Sequence, residues 1–421
     1  MMKEIEIEIK RDLYLQKLIR KMNNGTIKII TGMRRVGKTY LLFTLFYNYL
    51  ISIGIEESNI LRISFEDYDN RHLSKEENLY KAISEKIEKD KKLYVLLDEI
   101  QVVENFEKVL ISFLNNKNVD IYVTGSNAKF LSKDVITEFR GRGDQIQVYP
   151  LSFKEFKSVY NELDVNEAWN EYITYGGLPG VNNQDIRDKA KYLSDILNNT
   201  YIKDVIERNS IRSDEIFDNT FLILASSIGS LTNPNNIVNT FNSKHINVHY
   251  NTISNYIIYL ENSFLISRAR LFDIKGRKII NSENKFYFGD VGIRNVALNF
   301  RQNDESHILE NIIYNELIIR GYNVDVGRID YRNSSSNGGE SHKYAEVDFV
   351  CNDFLNKVYV QVALEISTVE KMIQETNSFR RIRDSFKKII ITKHLRTHYT
   401  EEGILILNLF DFLLDDKYLL L

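Results

Sequence analysis

Proline and cysteine are nearly absent, with 3 and 1 in 421 residues. A single cysteine, Cys351, excludes a disulfide framework and a cysteine-rich zinc site. Placed after Phe349 and Val350, it reads as a buried strand residue. Long apolar runs are missing too. The most apolar stretch, residues 221–225, is followed by Ser226, Ser227 and Gly229 and is too short to span a bilayer, so no membrane partner is expected. The chain opens Met1-Met2-Lys3-Glu4-Ile5-Glu6, too charged for a secretory signal, and a reducing cytoplasmic location is the expectation. An excess of charge of one sign is also lacking. The net charge is -3 and the pI about 6.2, so binding to nucleic acid has to come from a local patch. What remains is 43% hydrophobic and 27% charged, the composition of a soluble globular chain. Its length predicts about two to four domains.

The strongest signal is Gly32-Met33-Arg34-Arg35-Val36-Gly37-Lys38-Thr39, which reads G-x-x-x-x-G-K-T. The apolar β-type run Ile27-Lys28-Ile29-Ile30 precedes it and a helix-forming run from Tyr40 follows, which is the strand–loop–helix context a phosphate-binding P-loop requires. Gly32 and Gly37 let the backbone turn its N–H groups toward phosphate oxygens, and the helix N-terminus adds partial positive charge. The residues from Gly32 to Tyr40 are therefore expected to hold ATP or ADP. Lys38 would neutralise the β- and γ-phosphates, and the Thr39 hydroxyl would ligate Mg2+. Arg34 and Arg35 have three open fates: phosphate, a neighbouring subunit, or a core carboxylate.

Residues 93–97 form a continuous apolar run ending in Asp98-Glu99, a Walker B pattern about sixty residues after the P-loop. Asp98 is expected to hold Mg2+ through water and Glu99 to polarise the attacking water. A further strand at 121–124 is followed by Gly125-Ser126-Asn127, where a polar sensor of the γ-phosphate is expected. Asn127, Ser126 and Thr124 all qualify, and Ser126-Asn127 also suits a helix cap. Arg140 and Arg142, in Phe139-Arg140-Gly141-Arg142-Gly143, are placed for an arginine finger, within the chain or from a second copy in a homo-oligomer.

These motifs resemble a bacterial and archaeal family of AAA-type P-loop ATPases, related to the archaeal-ATPase and STAND branches of the AAA+ class, with a long C-terminal domain of unassigned function. Residues 150–156 (Pro-Leu-Ser-Phe-Lys-Glu-Phe) and 175–180 (Tyr-Gly-Gly-Leu-Pro-Gly) carry the resemblance further. It covers almost the whole chain and implies an α/β parallel-sheet ATPase core over residues 1–150 with a helical lid over 151–228. It also implies that Gly177 and Pro179 form a G-x-P element touching the nucleotide, where the bare sequence equally suits a helix-ending turn.

Residues 229–295 read as a winged helix. Asn233 caps a helix starting at Pro234, and a second helix near 252–260 turns Asn251, Thr252 and Asn255 outward. Wing strands are expected at 265–270 and 285–288, with Arg268, Arg270, Lys275, Arg277, Lys278 and Lys285 as a basic patch. DNA is the alternative partner this patch suggests, through Asn251, Thr252, Asn255, Arg270 and Arg277, beside docking within the chain or an unidentified protein. Residues 296–421 alternate helix and strand in an order that resembles the PD-(D/E)xK restriction-endonuclease-like fold. Asp348 and Gln361 match its metal ligands and Glu310 is a further one, but Ala363 stands at the lysine position. The resemblance therefore implies an inactive version, with a metal-dependent nuclease as the alternative.

Overall fold

A computed structural model of the chain describes residues 9–125, 139, 141–302, 304–334, 340–353 and 356–419. They fall into two compact units. The first takes the described part of Met1–Pro150 with Leu178–Gly180 and Asn262–Phe264, and the second takes the rest. Among the described residues no helix is long and apolar enough to cross a membrane.

The first unit is built on five parallel strands: β1 (Ile27–Thr31), β2 (Ile60–Ser64), β3 (Leu93–Asp98), β4 (Val119–Thr124) and β5 (Gly143–Gln147). Their order is β2-β3-β4-β1-β5. β1 and β3 are buried at every position, as strands covered on both faces are; β3 carries the continuous apolar run Leu93–Leu97, whereas β1 buries Lys28 among its isoleucines. Each buried Leu or Ile there contributes about 1.5–3 kcal/mol. β4 lies between the P-loop strand and the Asp98 strand, so its last residue is delivered between the two motifs. At the other end of this sheet Lys28, buried in β1, is paired with Asp120 of β4, which also accepts from the Tyr122 hydroxyl (2.8 Å).

The second unit carries an eight-stranded mixed sheet. Its strands are β6 (Ile266–Asp273), β7 (Lys278–Phe288), β8 (Asn323–Ser334), β9 (Glu340–Asp353), β10 (Asn356–Ala363), β11 (Lys387–Thr392), β12 (His398–Tyr399) and β13 (Leu405–Asn408). They run in the order β12-β13-β11-β10-β9-β8-β6-β7. Helix Val165–Tyr175 starts in a capping box made by Asp164 and Glu167. It stops at Gly176, whose φ of 77° leaves no room for a side chain, since a Cβ would lie 2.2 Å from Asp290 Oδ1. The Gly177 N–H also donates to Asp290 (2.7 Å). The Gly-Gly pair thus ends a helix and seats it on the N-cap of helix Val291–Ala297.

Two helices, Pro234–Ser243 and Tyr250–Asn262, precede the β6–β7 hairpin, and Asn233 caps the first through the Asn236 N–H (2.9 Å). Asn251 and Asn255 are exposed and Thr252 is half-buried. The expected wing strands are not a free wing. β6 pairs in parallel with β8, from Leu271↔Val326 to Asp273↔Arg328, so hydrogen bonding carries the hairpin into the C-terminal sheet across the expected boundary at 295. Lys285 also leaves the expected basic patch. It is buried at 3% exposure, with its ammonium 2.9 Å from Glu310 and 2.6 Å from Glu346. Cys351 is buried on β9, as its neighbours predict.

Candidate functional site

Around the end of β1 the backbone does what its glycines allow. Gly32 has φ 139°, and a Cβ there would lie 2.1 Å from the Val148 carbonyl oxygen. Val148 N–H in turn donates to the Thr31 carbonyl (2.8 Å), which clamps the loop's base to the strand beyond β5. Gly37 has φ 90° and caps a helical stretch, residues 38–52, in which Leu41–Phe46 takes a wider π-type turn. Gly32→Ala is therefore expected to lose native P-loop geometry. Differential scanning calorimetry should show destabilisation of about 1–3 kcal/mol or more, together with loss of fluorescent-nucleotide binding.

Lys38 is buried, and its ammonium donates to the carbonyls of Gly32 (3.1 Å) and Met33 (2.8 Å). Burial lowers its pKa to about 8, against the opposing pull of Glu99 and Asp98. Thr39 Oγ1 lies 2.9 Å and 3.1 Å from the two oxygens of Asp98, which is buried at the end of β3. Burial pushes the Asp98 carboxyl up, and the hydroxyls of Thr124 and Thr39 oppose that shift. A hydroxyl and a carboxylate in contact are hard oxygen donors of the kind Mg2+ takes, so these two residues fit the ion the motif implies.

Glu99 sits in the left-handed region, φ 53°, at a non-glycine position. Such a backbone costs on the order of 1–3 kcal/mol. It is held there by its own N–H, which donates to Thr124 Oγ1 (3.0 Å), while Thr124 Oγ1 donates to Asp98 (2.6 Å). Thr124 is fully buried and ties the two acids together. The Glu99 carboxylate accepts from the Gln101 side-chain amide. Of the three sensor candidates Thr124 is thus in contact with both acids; Ser126 and Asn127 lie outside the described residues, as does Arg140.

Arg142 is not brought to this cluster. β1 and β5 pair in parallel from Ile27↔Gly143 to Thr31↔Gln147, and Ile27 N–H donates to the Arg142 carbonyl (2.9 Å). Arg142 is thus just before the strand start, roughly 16 Å from the level of Thr31 at about 3.3 Å per residue. Within one chain, then, Arg142 is held at the opposite end of β5 from the P-loop. Arg34 is half-buried and acts electrostatically on both Lys38 and Glu66, whereas Arg35, φ 62°, is exposed. Val36 is buried and Tyr40 half-buried. Pro179 opens the short turn Pro179–Val181 and groups with the first unit.

Two residues beside the site carried no expectation. Glu66 follows β2, whose Ser64 pairs with Asp98, and loss of hydration plus the nearby Glu99 and Asp98 raise its carboxyl pKa. Gln101 is the other. Both follow strand ends next to acids, but only the pairing of β2 with β3 shows that these ends coincide.

Against the C-terminal sheet, Glu310 of helix Glu305–Ile319 accepts from Lys285 (2.9 Å) and from the Tyr287 hydroxyl (2.5 Å). Asp348 accepts the Val362 N–H (2.8 Å), and burial, with Glu310 near it, raises its carboxyl pKa well above the usual range. Among the described residues no group of three or more His, Cys, Asp or Glu is arranged to hold a metal ion. Of the two nuclease-like acids, Glu310 is thus engaged by Lys285 and Tyr287 of β7, and Asp348 by the Val362 N–H.

Comparison with known proteins adds a family. An AAA domain profile matches residues 24–157, and the profile of a domain of unknown function matches residues 166–304. An uncharacterized protein of Haemophilus influenzae is 36% identical over 411 residues, 96% of this chain and 98% of that one. An uncharacterized protein of Methanocaldococcus jannaschii is 31% identical over 405 residues, 92% of this chain and 83% of that one. Among solved structures, a Walker-type ATPase of Pyrococcus abyssi aligns with a TM-score of 0.50 at 18% identity, over 69% of this chain and 96% of that one. It shows a shared fold.

Proposed function

This chain belongs to a family of AAA-domain proteins shared with the Haemophilus and Methanocaldococcus relatives, and from that premise we propose that it binds ATP with Mg2+ at the P-loop, hydrolyses it, and works as a nucleotide-driven switch. The observation that carries this reading is the meeting of Lys38, Thr39, Asp98, Glu99 and Thr124 at the ends of three adjacent strands. Gly32, Gly37 and the start of the helix at Lys38 cradle the phosphates, and the Lys38 ammonium binds the β- and γ-oxygens. Thr39 and Asp98 would hold Mg2+, which when bound would supply charge to neutralise the phosphate oxygens. Glu99, fixed by Thr124, orients the attacking water and takes its proton.

Lys38→Ala tests the proposal. Titration calorimetry should find ATP binding in wild type, dependent on Mg2+, and none in the variant. Wild-type protein that binds no nucleotide, or a variant that binds as well as wild type, would overturn it.

A further inference from the structure

One face of the eight-stranded sheet is armed with cations held on aromatic rings. The turn of the β6–β7 hairpin presents Lys275, Arg277 and Lys278, all exposed. It is pinned to β8, since Ile274 N–H donates to the Arg328 carbonyl (3.0 Å) and Lys275 Nζ to the Asp330 carbonyl (2.8 Å). Next along β8, the Tyr331 ring lies under the Arg381 guanidinium at 3.6 Å. Arg381 Nε is buried and has no acceptor among the described residues. Lys343, the register partner of Tyr331, is exposed beside it. Toward β10, the Lys357 ammonium sits 5.3 Å from the Phe272 ring centre and 5.4 Å from that of Phe386. Arg277 acts electrostatically on the Tyr359 hydroxyl, which donates to Asp384 (2.7 Å). Among the described residues Lys275, Arg277, Lys278, Lys343 and Lys357 have no salt-bridge partner. On a chain of net charge -3 these five unpaired cations, with Arg381, outnumber the neighbouring Asp273, Asp330 and Asp384.

We propose that this face binds the sugar–phosphate backbone of duplex DNA without regard to sequence. The chemistry favours phosphate. A guanidinium stacked on tyrosine keeps its edge N–H groups for bidentate anion contacts. The arrangement argues for a duplex over a single strand: the Tyr331 face is covered by Arg381, and Phe272 and Phe386 share one ammonium, so these rings support cations and are not free platforms for unstacked bases. The surface also differs from the outward face of helix Tyr250–Asn262, which carries Asn251 and Asn255.

The test is fluorescence anisotropy of the full chain with a labelled duplex of arbitrary sequence over a salt series, without nucleotide. Failure of the ATPase reading therefore leaves this result untouched. Wild type should bind with affinity falling steeply in salt. The double charge reversal Arg277→Glu with Lys278→Glu should weaken binding by about tenfold and reduce the log–log salt slope by about two. Lys357→Gln, a milder change, should weaken binding less and lower the slope by about one. Circular dichroism matching wild type would verify that both variants fold. No duplex binding, unchanged binding in both variants, stronger binding to the single strand, or binding only to anionic vesicles would each overturn the proposal. So would an equal loss in Asn251→Ala with Asn255→Ala, which would move the contact to the helix.

Discussion

Glu99→Gln should leave ATP binding near wild type and lower steady-state hydrolysis by about 10²–10⁴-fold, the usual contribution of a positioned general base. The substitution preserves shape and the amide still pairs with Gln101 on one side, so the P-loop, with Lys38 and its backbone N–H groups, is not disturbed. The backbone of residue 99 is also unaffected, because its anchor is the main-chain N–H on Thr124. Only the carboxylate assigned to accept the water proton is removed. A phosphate-release assay beside a nucleotide-binding isotherm reads both halves. Hydrolysis that continues at the wild-type rate would remove Glu99 from its assigned role and leave Glu66, the other acid beside Asp98, as the group to examine.

Lys285→Ala is expected to destabilise the second unit by about 3–5 kcal/mol, because it leaves buried carboxylates without their cation. Glu310 and Glu346 both lose their partner in one step, and Asp348 loses a nearby positive charge. At the same time the Tyr287 hydroxyl remains pointed at Glu310. Chemical denaturation followed by fluorescence should show the loss, with ATP binding at the P-loop retained. Lys285→Met with Glu310→Gln should recover part of it, because one charge is then removed with its counter-ion and not left unmatched. If Lys285→Ala were as stable as wild type, the ion-pair cluster would be of no structural consequence. DNA affinity, by contrast, should not depend on the charge of Lys285, which is buried.

The P-loop, the Asp98-Glu99 pair, the cap at Asn233 and the buried Cys351 were all legible from sequence. Each depends on residues a few positions apart, where fixed backbone geometry turns spacing directly into placement. The strand alternation in the C-terminal part was legible for the same reason. Neighbour relations between distant strands were not. β4 lies between β1 and β3, and this alone puts Thr124 against both acids, whereas Ser126 and Asn127 were equally good by spacing. Arg142 sits well in sequence for a finger, yet the parallel register of β5 with β1 sets it at the far end of the sheet.

The same reason explains Lys285. In sequence it belongs with Arg268, Arg270, Lys275, Arg277 and Lys278, and charge counting joins them. In the sheet, β6 and β7 are bound beside β8, and strand alternation turns Lys285 and Tyr287 inward to Glu310 while the hairpin turn stays in solvent. By itself the sequence determined the local pattern: a glycine-flanked loop between a strand and a helix, a strand end carrying two adjacent acids, and segments that must be helix or strand. The tertiary structure decided which charges are spent on one another in the interior and which remain outside. That choice depends on contacts between residues far apart in the chain, and no local pattern encodes those contacts.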